Sequence, residues 1–276
     1  MIYLIKSFGQ SSLEFDGQRA YADVKYQVEQ GPRVLGSKAH ENVATWILSE
    51  LRQVGWDADS QEGSLSGVPV ENIIARRGQG TPWIILGSHY DSRQYADRDP
   101  SLADRSQAVL GANDGASSVA VLLELARVLP SDMDKQIWLV FFDAEDNANI
   151  SGYDSSLGSQ YFVSQLSEQP DRVVILDMVG DKDLNIYMEL NSDPDLNQNI
   201  WSVAAGLGFT QFIPTYKYKL IDDHIPFMHA GIKAVDIIDF DYPYWHSTQD
   251  TLDKISPDSL QVVGDTVLHW LDQYKE

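Results

Sequence analysis

Acidic residues and histidines in this 276-residue chain follow apolar, β-branched segments, at the positions where strands are expected to end. The set comprises His89, Asp91, Asp114, Glu145, Asp146, Asp177 and His246. Histidine and carboxylate side chains are common zinc ligands and also the usual general acids and bases of enzymes. Because several ends of neighbouring strands can converge on one crevice, the pattern predicts a single metal-dependent catalytic site.

The adjacent pair Glu145-Asp146 suits a division of labour, in which one carboxylate binds the metal and the other moves protons beside it. The chain has no cysteine, so any metal site must be built from histidine and carboxylate ligands. A site with three protein ligands keeps an open coordination position, and that open position is what permits catalysis.

Taken singly, these residues have simpler interpretations. An aspartate at a helix start, such as Asp114, is most often an N-cap, and acidic residues after strands, such as Asp143, Asp177 and Asp181, commonly form turns. Three further histidines are interpreted as packed or surface residues: His40, His229 and His269. The joint placement at successive strand ends is what favours a site.

The elements that must position these residues alternate between strands and helices. Short apolar runs predict strands at 71–76, 83–86, 136–142, 172–176 and 233–238. Helical periodicity and capping residues predict helices at 37–54, 116–129 and 257–274. The alternation indicates an α/β fold with a mostly parallel central sheet and helices on both faces, in one domain spanning residues 1–276.

Two polar segments, 92–111 and 147–158, are longer than ordinary connections of about 4–6 residues. Both follow predicted strands directly. In open α/β sheets, ligands bind beyond the carboxyl ends of the strands, which is where these loops are expected.

Charge and hydropathy exclude several classes of protein. With 20 basic and 41 acidic residues, the formal charge is −21, which argues against nucleic acid as a partner. No apolar stretch approaches the roughly 20 residues of a membrane helix, so we expect no membrane insertion. The apolar run at residues 1–5 is too short for the core of a signal peptide, and the residues leave the compartment open.

Motifs along nearly the whole chain resemble the metallo-aminopeptidase clan with the zinc exopeptidase fold. Within that clan they resemble the bacterial zinc-dependent glutaminyl cyclases of the animal type. The motifs are Gly31-Pro-Arg-Val-Leu-Gly-Ser37, Gly87-Ser-His-Tyr-Asp-Ser-Arg93, Leu110-Gly-Ala-Asn-Asp-Gly-Ala-Ser-Ser118, Phe141-Phe-Asp-Ala-Glu-Asp146, Leu157-Gly-Ser-Gln-Tyr161, Leu176-Asp-Met-Val-Gly180, Ile221-Asp-Asp-His-Ile-Pro-Phe227 and Tyr244-Trp-His-Ser-Thr-Gln-Asp250.

The resemblance implies that Asp114, Asp146 and His246 hold a zinc ion and that Glu145 is the general acid/base. In the aminopeptidases of the clan, His89 and Asp177 would bind a second zinc, with Asp114 bridging the two ions and Asp91 beside His89. All of these ligands are present here. Ligand identity alone therefore leaves a one-zinc cyclase and a two-zinc aminopeptidase open.

Three features favour the cyclase. Asp222 precedes Asp223-His224, where aminopeptidases usually place a serine, and it would meet Asp177 and Glu145 in a network of shared protons. Trp245 before His246 matches the cyclase Trp-His pair, whose indole helps to wall a narrow pocket for glutamine. The segments 143–146 and 236–240 also resemble the bacterial cyclases, which carry aspartate where the animal enzymes carry histidine.

The resemblance implies conversion of the N-terminal glutamine of a peptide or protein to pyroglutamate, with release of ammonia. Asp177 and Asp222 would hold the leaving amide, and Trp245 would provide an apolar wall. Cyclases of this type act on secreted proteins, which implies an extracytoplasmic location. The alternatives are an aminopeptidase that releases N-terminal residues and a non-enzymatic binding module with a degenerate metal site.

The chain also departs from the cyclase pattern. The loop 147–158 lacks the cyclase tryptophan, and Tyr153 is either its replacement or a surface aromatic residue. Ile221 stands where animal cyclases have a polar residue. Asp223 and His224 could serve only to fix their own loop.

Overall fold

The computed structural model describes residues 14–147, 150 and 155–274. The strands are β1 (Asp57–Leu65), β2 (Val68–Arg77), β3 (Trp83–His89), β4 (Gln136–Phe142), β5 (Arg172–Asp177), β6 (Ile186–Met188), β7 (Phe212–Tyr216) and β8 (Ala234–Ile238). The α-helices are α1 (Gly17–Glu29), α2 (Lys38–Gln53), α3 (Ala116–Val128), α4 (Leu157–Ser164), α5 (Pro194–Gly206), α6 (His224–His229) and α7 (Pro257–Gln273).

A six-stranded sheet in the order β1-β2-β4-β3-β5-β8 forms the centre of the fold. Strands β4, β3, β5 and β8 are parallel to one another, whereas β1, β2 and β4 pair antiparallel. The predicted α/β fold with a mostly parallel sheet is confirmed. The carboxyl ends of the four parallel strands lie along one edge, so the residues that follow them are brought together.

The antiparallel hairpin of β1 and β2 was not predicted. Strand β1 has few apolar residues, and its exposed and partly buried positions do not form the apolar run that marks a buried strand. The predicted strand 71–76 extends to Val68–Arg77. Ser66 and Gly67 join the two strands with φ angles of 53° and 81°, as a two-residue turn with left-handed residues requires.

Helix boundaries follow the capping signals of the sequence. The Ser37 hydroxyl accepts a hydrogen bond from the His40 backbone N–H, and Gly55 with φ of 82° lies just after α2. Ser256 caps α7 in the same way, with Pro257 in the first turn. The interpretation of Asp114 as an N-cap is wrong, because Gly115 is the cap residue of α3 and no side chain caps the helix.

Helices cover both faces of the sheet. The larger apolar cluster packs α1, α2, α3, α5 and α7 against one face, and α3 is buried along nearly its whole length. On the other face, Phe162 of α4 and Phe227 of α6 pack on Phe142 of β4. Within the described ranges, no helix is long and apolar enough to cross a membrane.

Candidate active site

A cavity of about 490 Å³ lies at the carboxyl edge of the parallel strands. Its walls include most of the predicted site residues: Asp114, Glu145, Asp146, Asp177, Asp222, Trp245 and His246. Met178, Leu220, Ile221, Ile238 and Phe240 add apolar surface. The cavity therefore combines a cluster of carboxylates with an apolar wall.

Asp114, Asp146 and His246 form one ligand set. The Nε2 atom of His246 lies 2.9 Å from Oδ1 of Asp146 and 3.7 Å from Oδ2 of Asp114. The Oδ2 atoms of Asp114 and Asp146 are buried and have no hydrogen-bond partner in the described part of the chain. Buried carboxylate oxygens without partners are costly, and a cation between them would compensate their charge.

His89, Asp114 and Asp177 form a second set, adjacent to the first. The Nε2 atom of His89 lies 3.1 Å from Oδ1 of Asp177 and 3.2 Å from Oδ1 of Asp114. Asp114 belongs to both sets, as expected for a bridging ligand. The structure thus brings together every residue that the sequence predicted for one or two metal ions.

Asp91 fixes the backbone that carries Glu145 and Asp146. Its two carboxylate oxygens accept hydrogen bonds of 3.1 Å from the backbone N–H groups of these residues. The same carboxylate lies 3.4 Å from Nδ1 of His89. Asp91 therefore joins the ends of β3 and β4, which is a wider role than the predicted position beside His89.

A close approach to His89 explains the glycine after Asp114. Gly115 has a φ of 31°, and a Cβ atom at this position would lie 2.6 Å from the backbone oxygen of His89. Any larger residue would push the start of α3 away from β3. The two backbone N–H groups before Gly115, those of Asn113 and Asp114, donate to the Asp250 carboxylate at 2.8 and 3.2 Å.

His246 is oriented by residues of the long loop 92–111. Asp97 lies 3.4 Å from Nδ1 of His246, and Arg93 donates to Asp97 through Nε and Nη2. Arg93 also donates to the backbone oxygen of Asp146 at 3.1 Å. Trp245 stacks on the imidazole, with 3.8 Å between the ring centroids.

The crowded carboxylates shift the pKa values of the site. Burial and then the Asp222 charge raise the pKa of Glu145 well above its ordinary value. Burial raises the pKa of Asp177 to about 7, although His89 opposes the shift. Burial opposes the charge of His246, but Asp146 and Asp97 outweigh it and raise its pKa to about 9. A raised pKa is the property that a general acid/base needs, so Glu145 suits proton transfer.

Asp222 lies on the cavity wall with Leu220 and Ile221. Its neighbours Asp223 and His224 are buried behind the wall and hold their loop, since the Asp223 carboxylate accepts a hydrogen bond of 2.6 Å from Ser159 of α4. Ile221 is 76% exposed.

His40, His229 and His269 do not line the cavity. His40 is buried and bonds Asp143 at 2.8 Å, which confirms its interpretation as a packed residue, and His229 is exposed at the end of α6. His269 is half-buried in α7. Tyr153 lies outside the described residues.

Sequence reasoning missed the residues that support the ligands. Arg93 and Asp250 act through hydrogen bonds to residues far away in the chain, and Asp97 acts through its contact with His246. Glu189 lies behind the cavity wall. The one available signal was the length of loop 92–111, which marked a functional segment without naming its residues.

Comparisons with known proteins agree with this geometry. Residues 72–271 match the sequence profile of peptidase family M28. The crystal structure of Porphyromonas gingivalis glutaminyl cyclase superimposes with a TM-score of 0.89 at 32% identity, over 94% of this chain and 98% of that one.

Two other relatives are named as an aminopeptidase and as a cyclotransferase. A leucine aminopeptidase precursor from Bacteroides thetaiotaomicron superimposes with a TM-score of 0.89 at 32% identity, over 95% of this chain and 98% of that one. The glutaminyl-peptide cyclotransferase of Drosophila melanogaster is 25% identical, over 84% of this chain and 75% of that protein.

Proposed function

Because the chain belongs to peptidase family M28, we propose that it is a zinc-dependent glutaminyl-peptide cyclotransferase. It converts the N-terminal glutamine of peptides and proteins to pyroglutamate and releases ammonia. The observation that carries the proposal is Asp222 on the cavity wall, where its charge acts on both Glu145 and Asp177. The similar cyclases named above support the same activity.

The donor set fits one zinc ion. Asp114, Asp146 and His246 would hold it, because each is buried, and each carboxylate keeps an oxygen without a hydrogen-bond partner in the described residues. One imidazole and two carboxylates are ordinary zinc ligands and leave a coordination position for substrate. When bound, zinc would polarise the γ-carbonyl of the glutamine and stabilise negative charge on its oxygen.

Glu145 moves the proton. The α-amine nitrogen of the substrate forms a bond to its own γ-amide carbon, and Glu145 accepts the proton that the amine loses. The same carboxyl group then donates the proton to the amide nitrogen as the carbon–nitrogen bond breaks, so that ammonia leaves. A raised pKa suits both halves of this exchange, since the group must accept and return the proton at one pH.

Asp177 and Asp222 hold the amide nitrogen that leaves. Carboxylates that lie close together share protons rather than all being ionised. The pKa of Asp177, raised to about 7 by burial, is consistent with such a shared proton. In this arrangement the pair can accept hydrogen bonds from the amide before cleavage and from ammonia after it.

Trp245 and the apolar residues Leu220 and Phe240 shape the cavity around the substrate side chain. Trp245 is held between the His246 ring and the Phe240 ring, at centroid distances of 3.8 and 5.0 Å. A rigid apolar wall restricts the flexible glutamine chain and excludes water. Both effects favour ring closure over hydrolysis.

The second candidate function is that of a two-zinc aminopeptidase. It is favoured by one observation, the compact set of His89, Asp114 and Asp177. In that enzyme, both histidine-containing sets would be filled, and Glu145 would activate a water molecule. The similar leucine aminopeptidase precursor supports this second candidate.

Metal content separates the two candidates without an activity assay. The protein is loaded with zinc, freed of excess metal by gel filtration and analysed beside its His89→Ala variant. The cyclase predicts about one zinc per chain in both proteins, because His89 is not needed as a ligand. A count of about two that falls to about one in the variant would favour the aminopeptidase.

A further inference from the structure

Glu189 is a buried carboxylate at the centre of several hydrogen bonds, directly after β6. It accepts hydrogen bonds from the backbone N–H groups of Asn191, Ser192 and Leu220 at 2.8, 2.7 and 2.8 Å, and from the Ser192 hydroxyl at 2.9 Å. It also lies 3.3 Å from Nε2 of His224. Glu189 belongs to neither ligand set and does not line the cavity.

Glu189 contacts the segment that carries Asp222 at both of its ends. Leu220 and His224 stand on either side of Asp222, and Glu189 contacts both. Asn191, beside Glu189, strengthens the first contact, because its side-chain amide donates to the backbone oxygen of Leu220 at 2.6 Å. The wall of the cavity is therefore tied at two points to one buried carboxylate.

The charge of Glu189 suits this task. Burial opposes ionisation, but His224 and the backbone N–H groups of Leu220 and Asn191 outweigh it and lower the pKa of Glu189 to about 2. An ionised carboxylate offers only acceptors, and the three backbone N–H groups and the Ser192 hydroxyl that surround Glu189 are all donors. Asp236, on the far side of the His224 ring at 3.6 Å from Nδ1, completes the surroundings of the imidazole.

We propose that Glu189 is a positioning residue of the active site, which holds the wall segment 220–224 so that Asp222 faces Glu145 and Asp177. It touches no substrate and acts through Leu220 and His224. The inference rests on the proposed function only for the role of Asp222. The placement of the wall depends on Glu189 whichever reaction the site performs.

The first test measures the placement directly. In Glu189→Gln, the side-chain NH2 group would face a backbone N–H group whichever way the amide turns, so at least one hydrogen bond of the carboxylate is lost together with its negative charge. Hydrogen exchange followed by mass spectrometry should show faster exchange of peptides covering 218–228 in the variant. Unchanged exchange there would overturn the proposal.

A matched control is Glu124→Gln. Glu124 is also fully buried, but it bonds Arg19 and Arg127 on the helix side of the sheet, away from the cavity. This variant should unfold at a lower temperature, while exchange of 218–228 and the value of kcat stay at wild-type levels. The control therefore separates a general loss of stability from a loss of wall placement.

The second test uses kinetics well below the unfolding temperature of each variant. Glu189→Gln should lower kcat about tenfold to a hundredfold with zinc content unchanged, because misplacement of a reacting group by about 1 Å costs this much. In the Asp222→Asn background, the same change should add little, since both act through one carboxylate. If the fold-loss of kcat in the double variant equals the product of the two single losses, the proposal is contradicted.

The substrate for this cycle is whichever of a Gln-initiated peptide and leucine amide the wild type turns over. Failure of the wild type to cyclise the Gln peptide would count against the proposed function alone. The exchange measurement would still decide whether Glu189 holds the wall.

Discussion

The carboxylate of Asp97 lies 3.4 Å from Nδ1 of His246, on the side of the imidazole opposite Asp146. In the neutral tautomer with its proton at Nδ1, beside Asp97, the lone pair of Nε2 faces Asp146 and Asp114. Arg93 holds Asp97 in place through two hydrogen bonds. The long loop 92–111 thus places a carboxylate beside the ring nitrogen of His246 that faces away from the proposed metal, which is a common arrangement around protein-bound zinc.

Asp97→Ala should weaken zinc binding by about tenfold to a hundredfold, because the imidazole loses the group that orients it. Competition with a chelating dye measures the affinity. Asp104→Ala is a matched control, since Asp104 lies in the same loop and bonds Gln107 rather than a site residue. Equal affinities for the Asp97 variant and wild type would contradict the role of this pair.

Glu145→Gln should lower kcat by about a hundredfold to ten-thousandfold, because the variant cannot accept the proton of the amine. Zinc content should stay at the wild-type level, since the proposed ligands Asp114, Asp146 and His246 are unchanged. Metal analysis and initial rates on the same preparation provide the measurement. A variant with wild-type kcat would remove Glu145 from the mechanism.

Asp222→Ala should abolish measurable cyclisation while zinc content is spared. The carboxylate faces the leaving amide in the proposed mechanism and lies outside both ligand sets. Asp195→Ala is the control, because this carboxylate is 75% exposed and does not line the cavity, so its loss should affect kcat little. Near-normal turnover in the Asp222 variant would argue against the proton network.

Stability should depend on pH through Asp239, which is fully buried after β8. Burial raises its pKa to about 7, so between about pH 4 and 7 the folded protein holds a proton that the unfolded chain has lost. The free energy of unfolding from this group therefore falls as pH rises through that window, by a few kcal/mol at most.

Urea unfolding at pH 5 and pH 8 measures this effect. Asp239→Asn should show a smaller loss of stability between the two values than wild type. Asp183→Asn, which changes an exposed carboxylate nearby, should keep the wild-type loss. An identical loss in the Asp239 variant would show that other buried carboxylates dominate the dependence.

Sequence reasoning predicted the parts of the molecule in which local signals agree. Strands β3, β4, β5 and β8 are largely apolar because they are buried on both faces, and His89, Asp146 and Asp177 lie at or just after the ends of the first three. Placing the ligands together then needed only the rule that parallel strands end at one edge. The resemblance to known enzymes supplied the assignment of roles.

The parts that were missed depend on contacts between distant segments. Strand β1 is an edge strand with a polar sequence, and only its partner β2 makes it a strand. Asp97 and Glu189 become important through His246 and Leu220, which lie 149 and 31 positions away in the chain, a relation that periodicity cannot reveal. Spatial neighbours of this kind need the folded structure.

Product analysis is the decisive test of cyclase activity. The zinc-loaded protein is incubated separately with a Gln-initiated peptide and with the same peptide beginning with leucine, and both mixtures are analysed by mass spectrometry, with Glu145→Gln as the blank. We predict that the Gln peptide loses the mass of one ammonia and that the Leu peptide stays intact. Release of free leucine without loss of ammonia from the Gln peptide would contradict it.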